Sequence, residues 1–242
     1  MGQAGDGFLV STSDGHHMLV DGGGRSSGIT KLVKGAGVKS LDVVVGTNPD
    51  ADHIGGLIDV LNKLPVKEVW DSGALNTTIT FTDYQGAIEK SGAELIDVRR
   101  GETRSLGSLP VQVFHPSDTA FKDRNNNSVV LRIQAGQVSF LFAGDAEEPA
   151  EKDMIASGIG LKSTVLKLGH HGSDTSTSAE FLAAVQPEVA VYQAGAKNKY
   201  GHPKPATLAR LSQAGVKVFG TGKNGRVTIT TDGKTYKVET ER

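Results

Sequence analysis

The sequence predicts a layered α/β protein with one site assembled from both halves of the chain. Three observations carry this. Strand-like runs followed by a loop and a helical stripe recur throughout the 242 residues, with no low-complexity linker between them. Carboxylates and imidazoles collect where those strands end, the place where open α/β sheets put their sites. One stretch, residues 41–64 (LDVVVGTNPDADHIGGLIDVLNKL), shows the whole unit.

That stretch opens with an apolar, β-branched run at 41–45, which reads as a buried strand. It closes with Ile54, Leu57, Ile58, Leu61 and Leu64, spaced to lay one apolar helical stripe on a sheet. Between them, Asp50, Asp52 and His53 crowd into four residues. Two readings of the loop stand. The three groups hold a divalent cation, or they form a solvated acidic turn bent by Pro49 with Asp52 capping the helix.

Taken in order, strands are expected at 7–11 and 18–20, joined by an Asp14-Gly15 hairpin turn that leaves His16 and His17 on the surface. Asp21 then precedes three glycines, either a plain turn or a backbone that must approach something closely. A strand at 66–70, a helix near 81–91 and a strand near 94–97 come next. A hairpin-rich part spans 102–114, and Asn125 to Ser128 lead into a strand at 129–133. The strand at 137–143 ends in Gly144-Asp145, just before a helix at 147–156. A strand at 164–168 ends in Gly169-His170-His171-Gly172-Ser173. Then come a helix at 179–185, a strand at 188–192 and a loop holding Lys197, Lys199, His202 and Lys204. A helix near 205–214, a strand at 217–219 and a hairpin, 226–230 against 235–239, finish the chain.

Composition excludes several classes. A net charge of −1 leaves no whole-molecule attraction to polyanions, so any nucleic-acid contact must be a local patch. The absence of cysteine removes disulfides and thiolate metal sites. No run reaches membrane-spanning length and no signal peptide is visible. The expectation is one domain over residues 1–242, and the abrupt start, almost inside the first strand, suggests a domain cut from a longer protein.

Asp21, Asp50, Asp52, His53, Asp145, His170, His171 and His202 therefore lie at strand ends or in loops of the same kind. Four of the seven histidines are among them, and this recurrence points to a metal site. Lys197, Lys199 and Lys204 flank His202, and they either bind backbone phosphates or form a solvated loop.

The segments GQAGDGFLV, LVDGGG, TNPDADHIGG, NNNS, LFAGDA, LKLGHHGS and YGHP, in that order, resemble the metallo-β-lactamase superfamily over essentially the whole chain. LKLGHHGS followed by YGHP resembles its ComEC/Rec2 type more narrowly, whose domain is attached to the DNA-uptake channel of natural competence. The resemblance implies a four-layer αββα sandwich with a metal centre at the edge of two central sheets. It maps the family's HxHxDH motif onto Asn48, Asp50, Asp52 and His53, the bridging carboxylate onto Asp145, and the last histidine ligand onto His202. It sets His170 and His171 beside the metal. Asn48 replaces a histidine, and the Asn125–Ser128 segment holds none, so one half of the site lacks nitrogen ligands.

That likeness, together with the residue types, implies a set of roles. Asp52, His170 and His171 act in catalysis, with a proton passing through one of the two imidazoles. Asp50, Asp52, His53, Asp145, His202 and Asn48 are the metal ligands. Lys197, Lys199, Lys204 and Ser173 contact substrate, and Asp21, Asn125 and Ser128 support the site. One or two divalent ions are implied: Mn²⁺, with Zn²⁺ or Mg²⁺ as alternatives. The expected reaction is nuclease action on the non-transported DNA strand, through backbone contacts without sequence preference. The alternatives are a hydrolase of smaller phosphodiesters or esters, and a degenerate, non-catalytic DNA-binding domain. The expected partner is the membrane-channel portion of the same longer protein. The expected setting is the extracellular face of the cell membrane, with a monomer when isolated.

Overall fold

The computed structural model describes residues 5–242. The first half forms a sheet of five strands in chain order: β1 (Phe8–Ser11), β2 (His17–Val20), β3 (Leu41–Gly46), β4 (Val66–Asp71) and β5 (Glu94–Asp97). Only β1 runs antiparallel to its neighbour; the other pairings are parallel. The second half forms a mixed sheet of seven strands. These are β6 (Thr103–Leu106), β7 (Leu109–His115), β8 (Val130–Ala135), β9 (Val138–Phe142), β10 (Val165–Lys167), β11 (Val189–Tyr192) and β12 (Lys217–Gly220), again in sequential order across the sheet. A hairpin of β13 (Val227–Thr231) and β14 (Tyr236–Thr240) turns at Asp232-Gly233, as its Asp-Gly pair predicts.

Side-chain alternation decides the layering. On β3, Val43 and Val45 point inward with Met18, Val20 and Trp70 to meet Val111, Val113, Leu131, Ile133 and Phe142 of the other sheet. Val44 points outward with Leu19 and Val69, against α1 (Ile29–Gly35), α3 (Leu57–Lys63) and α4 (Ile79–Ser91). The second sheet repeats the scheme. Leu141, Leu166 and Ala190 face outward to α5 (Glu148–Ala156), α6 (Ala179–Val185) and α7 (Pro205–Gln213). The product is the expected αββα sandwich, and the terminal hairpin covers Val165, Val189 and Val191.

Three elements depart from the sequence reading. The helix expected across residues 54–64 is split into α2 (Ala51–Ile54) and α3, with Gly55 and Gly56 between them. The break has a packing cause. A Cβ on Gly56 would lie 2.0 Å from the Gly22 carbonyl oxygen, so the glycines after Asp21 and those after Ile54 exist to touch each other. Helix α1 and a short α8 (Thr221–Asn224) have no counterpart among the expected elements. For α1 the signal is weak: its start at Gly28 lacks a side-chain cap, and only Thr30 and Val33 are buried.

Candidate metal centre

The parallel strands of both sheets deliver their carboxyl ends to one edge of the sandwich, and the side chains that meet there come from loops directly after them. Asp21 follows β2 in a left-handed conformation (φ 58°), uncommon for a residue with a side chain. It is buried, and its carboxylate accepts from the Thr47 amide (2.8 Å), the Thr47 hydroxyl (2.6 Å) and His53 Nδ1 (2.9 Å). With Nδ1 held this way, Nε2 of His53 is aimed at Asp145, 3.0 Å from its Oδ2.

Asp145 follows β9 and receives both sheets' contributions. His171 Nε2 and Lys167 Nζ each lie 3.8 Å from its Oδ1, and His170 Nε2 lies 3.9 Å from Oδ2. Lys167 shares the parity of Val165 on β10, which turns it inward between the sheets. It pairs there with Asp6 and donates to the Gly144 carbonyl. After β10 the chain makes a tight turn with His170 (φ 44°) and His171 (φ 55°) both left-handed. Gly172 (φ 85°) completes it, with Pro203 where a Cβ would stand. Strain of this kind over successive residues persists only where surrounding contacts hold it. Here His170 Nδ1 lies 2.9 Å from Glu147 Oε1, while His171 Nδ1 lies 3.1 Å from both Asp6 Oδ1 and the Gln193 carbonyl. His202 stacks on Tyr200, with ring centroids 5.8 Å apart, and faces the rings of His170 and His171.

Asp6, His53, Asp145 and His171 each present one donor atom, all buried and all within 4.8 Å of one another. His53 Nε2, Asp145 Oδ1, His171 Nε2 and, nearby, His202 Nδ1 are buried without a hydrogen-bond partner among the described residues, while Asp6 Oδ2 faces the Lys167 ammonium. Several of these atoms are close in distance yet misaligned as hydrogen bonds, as groups converging on a common point are. An unsatisfied buried polar group costs about 1–3 kcal/mol, so four together describe a cradle for a cation. The residues fit a divalent ion.

The electrostatics agree. Burial opposes charge on His53, but Asp145 and Asp21 on either side outweigh it and hold its pKa well above the ordinary value. Burial opposes charge on His171 as well, and Asp6 and Asp145 still push it up to about 10. Asp145 is the complement: burial favours its neutral form, yet His53 and His171 keep it well below the usual carboxylate range. The pocket is one that attracts positive charge. His202 goes the other way, lowered to about 4 by burial and by His170, His171 and Lys204, so its ring is neutral near neutral pH.

The expected site residues separate into groups. His53 and Asp145 stand in the cluster. His171 is buried within it, not merely beside it. Asp52 is at the margin, its Oδ2 3.3 Å from His171 Nε2. His202 and His170 line the open side. Asp50 and Asn48 border the cluster but are bonded to other partners. Asp50 Oδ1 accepts from Asn76 Nδ2 (2.9 Å) and lies 3.1 Å from Arg124 Nε. Asn48 donates to Asn125 Oδ1 (3.1 Å) and Ser128 Oγ (3.4 Å) and accepts from the Asp50 amide (2.9 Å). Ser128 Oγ also accepts from the Asp145 amide at 3.1 Å, so Asn125 and Ser128 brace the floor. Ser173, expected at the substrate, is 4% exposed and spends its hydroxyl on Thr175. Lys197 is exposed, Lys199 lies over the Tyr200 ring at 4.8 Å, and Lys204 donates to the Tyr200 carbonyl.

Asp6 and Lys167 join the cluster without being expected there. The GQAGD stretch marks only the start of the first strand in sequence, and the fold alone carries Asp6 to His171. Lys167 hides in an apolar strand. Glu147 and Gln193, which hold the paired histidines, carry no sequence signal.

The sequence pattern of the metallo-beta-lactamase superfamily matches residues 3–195. The chain is 34% identical over 222 residues to competence protein ComA of Neisseria gonorrhoeae, covering 90% of this chain and 29% of that one. It is 33% identical over 192 residues to ComE operon protein 3 of Bacillus subtilis (strain 168), covering 79% of this chain and 25% of that one. The chain thus spans little more than a quarter of the length of these curated relatives. Among solved structures, the metallo-beta-lactamase fold protein YhfI from Bacillus subtilis is similar, with a TM-score of 0.57 at 13% identity. The match covers 90% of this chain and 88% of that one, a likeness of fold alone.

Proposed function

Because the chain belongs to the metallo-beta-lactamase superfamily, we propose that it is a metal-dependent nuclease that hydrolyses DNA phosphodiesters during natural competence, acting on the strand that is not transported. One observation carries the reading: Asp6, His53, Asp145 and His171 each bring one buried donor atom to within 4.8 Å of the others where strands of both sheets end. The name of one relative, competence protein ComA, supports the competence setting. Because this chain matches a fraction of the length of its curated relatives, the proposed partner is the membrane-channel portion of a longer protein, with this domain at the extracellular face. No helix among the described residues is long and apolar enough to cross a membrane.

His53, Asp145 and His171 would hold the ion, with Asp6, Asp52 and His202 around them. A bound divalent ion lowers the pKa of water and polarises a phosphoryl oxygen. The chain's own groups do the rest. Asp21 locks the His53 ring through Nδ1, and Asp6 with the Gln193 carbonyl locks His171. His171 is 2% exposed and positions; His170 is the half-open ring, 27% exposed. With Glu147 on its Nδ1, His170 can hand a proton from Nε2 to the departing oxygen. Lys197, Lys199 and Lys204 bind the phosphate backbone beyond it. The mixed carboxylate and imidazole donors of this set accept Mn²⁺, the proposed ion, with Zn²⁺ and Mg²⁺ as the alternatives that the test separates.

The test is degradation of linear DNA in Mn²⁺, Mg²⁺, Zn²⁺ or chelator. Cleavage in Mn²⁺, indifferent to sequence and suppressed by salt, is expected. Turnover of bis-aryl phosphodiesters with DNA left intact would replace DNA by small diesters as the substrate.

A further inference from the structure

The two halves of the centre differ in how far their polar atoms are committed. On one side His53 Nε2, Asp145 Oδ1, His171 Nε2 and His202 Nδ1 lack hydrogen-bond partners among the described residues. On the other side nothing waits. Both ends of the Asn48 amide are bonded, its nitrogen to Asn125 and Ser128 and its oxygen to the Asp50 backbone. The Asp50 carboxylate already faces a cation from the protein itself, the Arg124 guanidinium, and is braced by Asn76.

Arg124 is fastened through Nε alone, at 3.1 Å from Asp50 Oδ1. Among the described residues its two terminal nitrogens make no hydrogen bond, and its side chain is 50% exposed. It immediately precedes the short turn Asn125–Asn127, whose first residue touches Asn48. A guanidinium pinned by Nε turns a rigid pair of N–H groups toward solvent, a geometry that matches two oxygens of a phosphate.

Resting on the nuclease reading above, we propose that Arg124, held by Asp50, is a phosphate-binding residue occupying the role a second cation would have, and that the centre takes a single divalent ion. The phosphodiester anion is gripped from one side by this guanidinium and from the other by the ion-binding cluster. Asp50 acts as a positioning residue for Arg124 and does not ligate metal.

The experiment has two readouts that do not depend on turnover. The first is the number of tightly held Mn²⁺ ions per chain, by elemental analysis after dialysis. The second is binding of inorganic phosphate and of a short oligonucleotide in the presence of chelator, across a salt series. The wild type is expected to hold one ion. Arg124→Ala is expected to weaken oligonucleotide binding about tenfold and to lower the salt slope by about 1. Arg124→Lys should restore the slope but not the full affinity, because an ammonium lacks the paired donors. Arg124→Ala combined with Asn48→His releases Asp50 and supplies an imidazole, and this double variant should take up a second ion. Two ions in the wild type would overturn the proposal, as would unaltered phosphate and oligonucleotide binding by a natively folded Arg124→Ala. Phosphate binding that depends on Arg124 in a protein that never cuts DNA would sustain this assignment and remove only the nuclease reading.

Discussion

At Asp145 three imidazoles and an ammonium gather on one buried carboxylate, which makes it the hub of the centre. Asp145→Ala, His202→Ala and Asp52→Ala are each expected to abolish cleavage while circular dichroism stays native. Loss of mere supporting contacts already costs roughly 10–100-fold at metal sites; full activity in all three folded variants would dismiss the centre. A second residue-scale prediction concerns Asp71, away from the cluster. Burial, with Asp97 nearby, raises its pKa from 3.8 to about 6. The folded state therefore holds this proton more tightly than the unfolded chain does. Stability is unaffected below the unfolded value and falls as pH climbs from there through the folded one. A shift of about two units corresponds to about 3 kcal/mol. Asp71→Asn keeps an acceptor for the Gly73 amide and should gain about 2–3 kcal/mol at pH 8 and almost nothing near pH 4. Urea midpoints at the two pH values check this, and an equal effect at both would show that Asp71 ionises at no cost.

Among the elements, strands are the more legible in sequence because their cores are β-branched and bounded by glycine or aspartate. The helix after β3 reads as continuous because its apolar stripe runs unbroken through Ile54, Leu57 and Leu61. The Gly22–Gly56 contact that breaks it joins segments far apart in the chain, and no local pattern reports that. The same holds for the site. His53, Asp145 and His171 announce themselves by residue type at strand ends, whereas Asp6 and Lys167 become meaningful only once the sheets dock. The loop between β11 and α7 yields its own prediction. Charge reversal of Lys197, Lys199 and Lys204 together should weaken DNA binding and lower the slope of log affinity against log salt by about 2–3, with little change in turnover at saturation. Titration of labelled DNA against ionic strength measures it. An unchanged affinity would mean a solvated loop.

For the molecule as a whole, a ligand that binds only the native state stabilises it by mass action, about 2.7 kcal/mol at a hundredfold excess over its dissociation constant. In a domain of this size that corresponds to a rise in Tm of about 5–10 °C. Added Mn²⁺ should produce such a rise, and chelator should reverse it; Asp145→Ala should show none. Scanning calorimetry of both proteins decides it, and a rise of equal size in the variant would place the ion elsewhere. The contact between Asp6 and His171 spans 165 positions, and this carries a further consequence for how the protein comes into being. A ribosome must pass residue 171, beyond the first sheet and β6 to β10 of the second, before the two ends of the centre can meet. The reaction centre thus doubles as a completeness check: a truncated or half-made copy has every catalytic side chain of its first half and no place to put them.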